Sequence, residues 1–86
     1  MRDKLLTVNK AVALRISELL SINNITQYRL EINSGLSHSR VDNIMKEKNK
    51  TVTLTTVILL AQGFNMTLIE FLDSKYFSNL DLLDLE

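Results

Sequence analysis

Apolar residues recur at helical spacing along most of this chain. In the first such segment Val12, Ile16, Leu19 and Leu20 lie three or four residues apart, which is the spacing along one face of an amphipathic helix. The pattern predicts a helix over residues 8–21, and a pair of asparagines shortly after it supplies a stop.

Two shorter helices follow, joined by a single glycine. We predict them over residues 26–34 and 37–48, because Thr26 and Ser37 carry hydroxyl groups that cap free backbone N–H groups at a helix start. Gly35 lies between them, where a left-handed backbone is needed. Helical spacing directs four side chains inward: Leu30, Leu36, Val41 and Ile44. It leaves a polar row outside, of a kind that suits the major groove of DNA: His38, Ser39, Arg40 and Asn43.

The segment after the third helix is ambiguous. Over residues 52–60 the content of valine, threonine and isoleucine favours a strand. The apolar residues are nevertheless spaced as in a helix: Leu54, Val57, Ile58 and Ala61. We predict a helix that is capped by Thr53 and stopped by Gly63. A fifth helix is predicted from Thr67 to about Ser74, because Thr67 and Glu70 have the spacing of a capping box.

The composition is that of one small folded domain. The chain has 86 residues, 45% of them hydrophobic, and we predict a single all-α domain of five helices over residues 1–86, with its core at about residues 8–74 and a tail at residues 75–86. It contains no cysteine and one histidine, so we expect no disulfide, metal site or cofactor. It has no run of about 18 apolar residues and no apolar N-terminal segment of the signal-peptide type, so we expect a cytoplasmic protein without membrane contact.

Charge is distributed unevenly along the chain. The net charge is zero, but residues 1–50 carry nine Lys or Arg residues against five Asp or Glu, and residues 51–86 carry one against five. The basic half contains the helix with the polar row, which favours a nucleic-acid partner, although small domains also show such asymmetry by chance.

Several short motifs occur in an order and spacing known from one family. They are Arg15-Ile16 with Leu19, Ile25-Thr26-Gln27 with Leu30, Gly35-Leu36-Ser37, Val41 with Ile44, and the segment from Ala61 to Thr67. With this set, residues 9–73 resemble the Cro/repressor-type helix-turn-helix domain, or Xre family, of bacterial and phage transcriptional regulators.

Three positions depart from the family pattern. Glu31 replaces a usual alanine where the second and third helices meet, so either those helices splay or Glu31 leans toward solvent. Met45 replaces a frequent glutamate, and Glu47 occupies a place that is often glycine.

The resemblance implies a compact lambda-repressor-like domain whose third helix enters the major groove of double-stranded DNA. It implies that four residues read bases: Ser37, His38, Ser39 and Asn43. It also implies a set of phosphate contacts, which Lys10 and Arg15 are expected to flank: Gln27, Arg40, Lys46, Lys48, Asn49, Lys50 and Thr51. Arg40 can reach a guanine or a phosphate, and we favour the phosphate; the amide of Asn43 matches adenine N6 and N7.

Apolar residues near the C-terminus exceed what one small core needs. We expect them to form a homodimer interface, which pairs two reading helices across a palindromic operator. The residues of this predicted interface are Phe71, Tyr76, Phe77, Leu80, Leu82, Leu83 and Leu85. In the alternative interpretation they fold back onto the first helix of the same chain.

Two functions remain open at this point. The first is a sequence-specific DNA-binding regulator, most often a repressor in this family, without a small-molecule effector domain. The second is a protein-interaction module of the same fold, such as an antitoxin-like or anti-repressor partner. We expect no enzymatic activity, because one histidine and no cysteine give no pairing of a nucleophile with a base.

Overall fold

Five α-helices and one short 3-10 helix make up the computed structural model, which describes residues 5–48 and 51–80. Their bounds are α1 Val8–Asn23, α2 Gln27–Ser34, α3 His38–Met45, α4 Leu54–Gly63, α5 Leu68–Leu72 and the 3-10 helix Lys75–Phe77. The predicted all-α fold is confirmed, and the segment with strand-like composition is helical. No helix within these two ranges has the length and apolar character needed to cross a bilayer.

Each α-helix begins directly after a hydroxyl residue. The side chain of that residue accepts a hydrogen bond from the backbone N–H three residues later, and the five caps are Thr7, Thr26, Ser37, Thr53 and Thr67. The predicted capping box is confirmed, since Glu70 also accepts from the backbone N–H of Thr67 at 2.8 Å. A cap of this kind contributes about 1 kcal/mol to stability, so the hydroxyls set where the helices start.

The ends of the first and fourth helices depend on asparagine. Helix α1 runs two residues past its predicted end and stops at Asn24, whose φ is 54°. Helix α4 ends because Asn65 turns left-handed with φ 59°, and the N–H of Met66 donates to the carbonyl of Ala61. Helix α4 ends at Gly63, where the stop was predicted, but the φ of Gly63 is not positive and Asn65 supplies the left-handed residue instead.

Helix α3 ends at Met45, three residues before its predicted end. Glu47 adopts the left-handed conformation with φ 57°, and its N–H donates to the carbonyl of Ile44. The N–H of Lys48 donates to the carbonyl of Asn43 at 3.0 Å. These two bonds form a Schellman motif, a helix ending that glycine fits best because a Cβ atom is strained there.

Replacing Glu47 with glycine should raise the free energy of unfolding by about 0.5–1 kcal/mol. A residue with a Cβ costs about 1–2 kcal/mol in the left-handed region, and the greater freedom of glycine in the unfolded chain offsets part of the gain. The lost ion pair between Glu47 and Lys10, 3.3 Å apart on the surface, matters little. Urea unfolding measures the change, with Glu47→Gln as control because it removes the charge and keeps the Cβ. Equal effects of the two variants would contradict the strain explanation.

The hydrophobic core draws on all five helices. The four residues of the second and third helices predicted to point inward are at most 7% exposed: Leu30, Leu36, Val41 and Ile44. Helix α2 packs on α4, while α3 contacts both α1 and α2. Val41 and Ile44 anchor one side of α3 in the core, while residues 38–40 of its first turn are exposed.

The residues after α5 return to the start of the molecule. The 3-10 helix packs against α1, and the backbone of Leu6 pairs with that of Leu80. Phe71 is 0% exposed, with its ring 6.2 Å from that of Phe77, so its predicted place in a dimer interface is wrong: it fills the core of its own chain. Tyr76, Phe77 and Leu80 are half-buried, which favours the alternative that this segment folds back. The predictions for Leu82, Leu83 and Leu85 lie outside the described residues.

Candidate nucleic-acid interface

The outward side of α3 carries the predicted polar row. His38, Ser39 and Arg40 occupy its first turn and are exposed, while Asn43 lies one turn further and is half-buried. Ser37 is the N-cap, and its hydroxyl oxygen accepts from the N–H of Arg40 at 3.2 Å. Its hydroxyl hydrogen is left to donate elsewhere. The first turn of α3 thus offers hydrogen-bonding groups of several kinds on one surface.

His38 is held by a residue of the preceding helix. Its Nδ1 lies 2.8 Å from Oε2 of Glu31 on α2. The His38 side chain is 73% exposed, whereas that of Glu31 is 10% exposed. Of the two alternatives for Glu31, the one in which it leans toward solvent is not observed, because its carboxylate bonds the ring of His38 across the turn at Gly35.

A polar groove of about 300 Å³ runs beside α3, toward the start of α4. Its lining includes Arg40 and Asn43 on one side and Thr51, Thr53 and Thr56 on the other. Nη1 of Arg40 donates weakly to the hydroxyl of Thr56 at 3.5 Å, and the hydroxyl of Thr53 donates to the same oxygen at 2.9 Å. The Arg40 guanidinium contacts the first turn of α4, which is the positive end of that helix dipole. The charge of Arg40 and the dipole of α4 therefore both make the potential at this groove positive.

The basic residues after the first turn of α3 differ in their surroundings. The ammonium of Lys46 donates to Oδ2 of Asp42 at 2.9 Å. That bond is the largest cause of the lowered pKa of Asp42; partial burial opposes it, and the positive charges of Lys46 and Lys48, with that of His38 when it is protonated, add to it. Lys48 is exposed.

Other predicted phosphate contacts are placed in part. Gln27 is the first residue of α2, next to backbone N–H groups at that helix's start. Thr51 is exposed and lines the groove. Lys10 pairs with Glu47 at 3.3 Å. The predictions for Asn49 and Lys50 lie outside the described residues.

Arg15 does not flank the phosphate set. It is 8% exposed, and its Nε and Nη2 donate to the backbone carbonyls of Phe71 and Glu70, both at 2.8 Å. Its Nη1 donates to Glu18 at 2.7 Å. The guanidinium is used inside the domain, where it caps the end of α5, so the expectation from the sequence is wrong.

Sequence reasoning missed three residues that contact the polar row or the lysine beside it. Glu31 holds His38, Asp42 holds Lys46, and Thr56 accepts from Arg40. The signal for Asp42 is its spacing of four residues before a lysine, which pairs side chains on one helix face. Thr56 gave no signal, because its contact joins two helices.

The fold and this surface together define a helix-turn-helix domain: α2, a turn at left-handed Gly35, and an α3 with one free side. A family model described as a Cro/C1-type HTH DNA-binding domain matches residues 15–75. The chain belongs to this family of DNA-binding domains. Neither a curated protein nor a solved structure gives a significant match.

Proposed function

We propose that the chain is a sequence-specific DNA-binding transcriptional regulator that acts as a repressor. Helix α3 enters the major groove by its N-terminal end, with Ser37, His38, Ser39 and Asn43 toward base edges. The observation that carries this proposal is the exposed polar first turn of α3, on a helix whose opposite side is anchored by buried Val41 and Ile44. Such a helix presents side chains to a groove without disturbing the core.

Phosphate contacts set the position of the protein on the duplex. The groove beside α3 supports one such contact, because Arg40 lines it together with Thr53 and Thr56 at the positive end of α4. The start of α2 at Gln27 supports a second. We assign Lys46, Lys48, Asn49, Lys50 and Thr51 to the same backbone-contacting set.

A homodimer on a palindromic operator is part of the proposal. One helix-turn-helix reads about half a site, and dimers of this class pair two half-sites about one helical turn apart. With Phe71 committed to the core, we move the interface to the outer side of α5, where Ile69 is 80% exposed and Leu72 38% exposed.

A second candidate function is the protein-interaction module. One observation favours it: two of the basic side chains near the row are paired with acids, Lys46 with Asp42 and Lys10 with Glu47. Those acids reduce the positive potential that a DNA-binding surface needs. Salt dependence separates the two functions, because only phosphate binding releases counterions from DNA.

The test is selection of bound DNA from a random pool at two salt concentrations. We expect an enriched palindrome, and the slope of log affinity against log salt should be about one unit per phosphate contact. Asn43→Ala should weaken binding to the selected sequence by about 5-fold to 100-fold and relax one base position. Lys48→Ala should weaken binding to all sequences alike and lower the salt slope by about one.

Lys75→Ala is the matched control for Lys48→Ala. It also removes one exposed lysine, but from the 3-10 helix that packs against α1. It should leave the salt slope unchanged. Absence of retardation at low salt, with intact folding, would contradict the regulator and favour the interaction module. Enrichment of a single half-site in place of a palindrome would contradict the homodimer but not the DNA-binding function.

A further inference from the structure

We propose that Glu31, on α2, determines base specificity by positioning His38 of the reading helix α3, because its bond to His38 Nδ1 selects which hydrogen-bonding group His38 offers to a base. This inference rests on the proposed function. It starts from the 2.8 Å contact that crosses the helix-turn-helix from α2 to the first residue of α3.

The contact fixes the hydrogen on one ring nitrogen. An ionised carboxylate only accepts hydrogen bonds, so Nδ1 of His38 must carry a hydrogen for this bond to form. In the neutral ring Nε2 then has no hydrogen and acts as an acceptor. In the charged ring both nitrogens carry hydrogen and Nε2 becomes a donor.

The contact also limits how the ring can turn. The side chain of Glu31, on the helix that contacts α3, is 10% exposed, whereas that of His38 is 73% exposed. The covered carboxylate therefore holds Nδ1 on the protein side of the ring and leaves Nε2 to approach DNA. Glu31 itself touches no base in this arrangement, so it acts as a positioning residue.

The two forms of His38 read different bases. A neutral ring accepts from adenine N6 or cytosine N4, whereas a charged ring donates to guanine N7 or O6. Glu31 bonds the ring from α2, and Asp42, one turn along α3, adds a second negative charge to the region. Because the two forms of His38 differ by one proton, the base preferred at this position should change with pH, toward guanine as pH falls.

The first experiment observes the tautomer without DNA. His38 is the chain's one histidine, so its ring nitrogens can be assigned directly by two-bond 1H–15N NMR. Spectra are recorded at alkaline pH, where the ring-nitrogen shifts no longer change with pH, so that they report the neutral ring. We expect hydrogen on Nδ1 in the wild type and a shift toward hydrogen on Nε2 in Glu31→Ala. Hydrogen on Nε2 in the wild type would overturn the proposal.

The second experiment compares DNA sites that differ only at the base pair His38 reads. For the wild type, the preference for guanine over adenine should rise about threefold to tenfold between pH 8.5 and pH 5.5, the scale of one hydrogen bond. Glu31→Ala should reduce this rise with falling pH. In a chain that also carries His38→Ala, Glu31→Ala should have no effect on the pH dependence. The same pH-dependent rise in Glu31→Ala as in the wild type would overturn the proposal even if the tautomer is as expected.

Asp42→Asn is the matched control for charge. It removes one negative charge near His38 and leaves the Nδ1 bond in place, so it should raise affinity for all sites while the pH-dependent preference persists. Thermal unfolding verifies that each variant is folded. A wild type that binds no DNA at low salt contradicts the proposed function and this inference with it, while the NMR result still reports the Glu31–His38 bond separately.

Discussion

Replacing Arg15 with methionine should lower the free energy of unfolding by about 2–4 kcal/mol. Two of its nitrogens donate to the carbonyls of Glu70 and Phe71 at 2.8 Å, at the end of a helix of only five residues. A hydrogen bond to a charged group contributes about 1.5–3 kcal/mol, and a buried carbonyl left without a partner adds its desolvation cost. The guanidinium also favours the negative end of α5 and lies 6.0 Å from the Phe71 ring centroid.

Urea and thermal unfolding measure this effect, and methionine keeps the apolar stem that Arg15 packs. For a domain of this size each kcal/mol corresponds to about 4–8 °C in Tm. Two controls separate the contributions. Glu18→Gln breaks only the outer ion pair of Arg15, on a carboxylate that is 32% exposed, and should cost less than about 1 kcal/mol. Arg15→Lys keeps the charge but replaces the planar fork with a single ammonium, so it should recover only part of the loss. A loss in Glu18→Gln as large as in Arg15→Met would contradict the capping role.

The starts of the helices could be predicted because each depends on one residue type at one place. Thr26, Ser37, Thr53 and Thr67 act locally, within three residues of the N–H groups that they cap. The apolar spacing of α4 also prevailed over its strand-like composition, since burial of one face outweighs intrinsic preference. The stop of α1 at the asparagine pair was predicted, and Asn24 supplies it. The ends of α3 and α4 were harder to predict, because Glu47 and Asn65 adopt the left-handed conformation although neither is a glycine.

The candidate interface was predicted less completely than the fold, because the contacts of its side chains come from other helices. Which side of α3 faces outward follows from its own periodicity. The surroundings of its side chains depend instead on neighbouring helices. Glu31 departed visibly from the family pattern, but its bond to His38 requires the turn geometry at Gly35. Arg15 looked like a free cation in the sequence because nothing local shows that it reaches the carbonyl of Phe71, 56 residues away.

Helix α5 carries apolar residues on both of its sides, which bears on the proposed dimer interface. The sequence identified surplus apolar residues near the C-terminus, and the described part of that segment instead covers α1. Folding back buries Phe71 completely and leaves Ile69 and Leu72 exposed on the same short helix. A periodic apolar pattern on five residues cannot distinguish these two sides, since both sides of α5 carry apolar residues.

The second large effect is expected at Gly63, where methyl addition should destabilise the domain. A Cβ there would stand 2.8 Å from Cδ1 of Leu30 and 3.0 Å from Cβ of Ser34. Leu30 is fully buried, and Cβ and N of Ser34 move only with the backbone of α2, so α2 must shift away from α4. Overpacking costs about 1–3 kcal/mol, and the better helix propensity of alanine returns at most about 1 kcal/mol. We therefore expect Gly63→Ala to lower the free energy of unfolding by about 1–2 kcal/mol, measured by urea unfolding.

A double-mutant cycle identifies the close contact as the cause. Leu30→Val removes Cδ1, so Gly63→Ala should cost less in that background than in the wild type, a positive coupling that independent sites do not show. Gly35→Ala is the matched control: its φ of 77° makes a Cβ unfavourable, but nothing lies within 4 Å of that Cβ. Leu30→Val should not relieve the destabilisation in Gly35→Ala, because the cost there is in the backbone.

Helix α2 carries Glu31, which bonds His38. The Gly63→Ala variant should therefore also bind DNA more weakly, because α2 shifts away from α4. Unchanged or increased stability in Gly63→Ala would mean that α2 and α4 do not approach as closely as the contact with Leu30 requires.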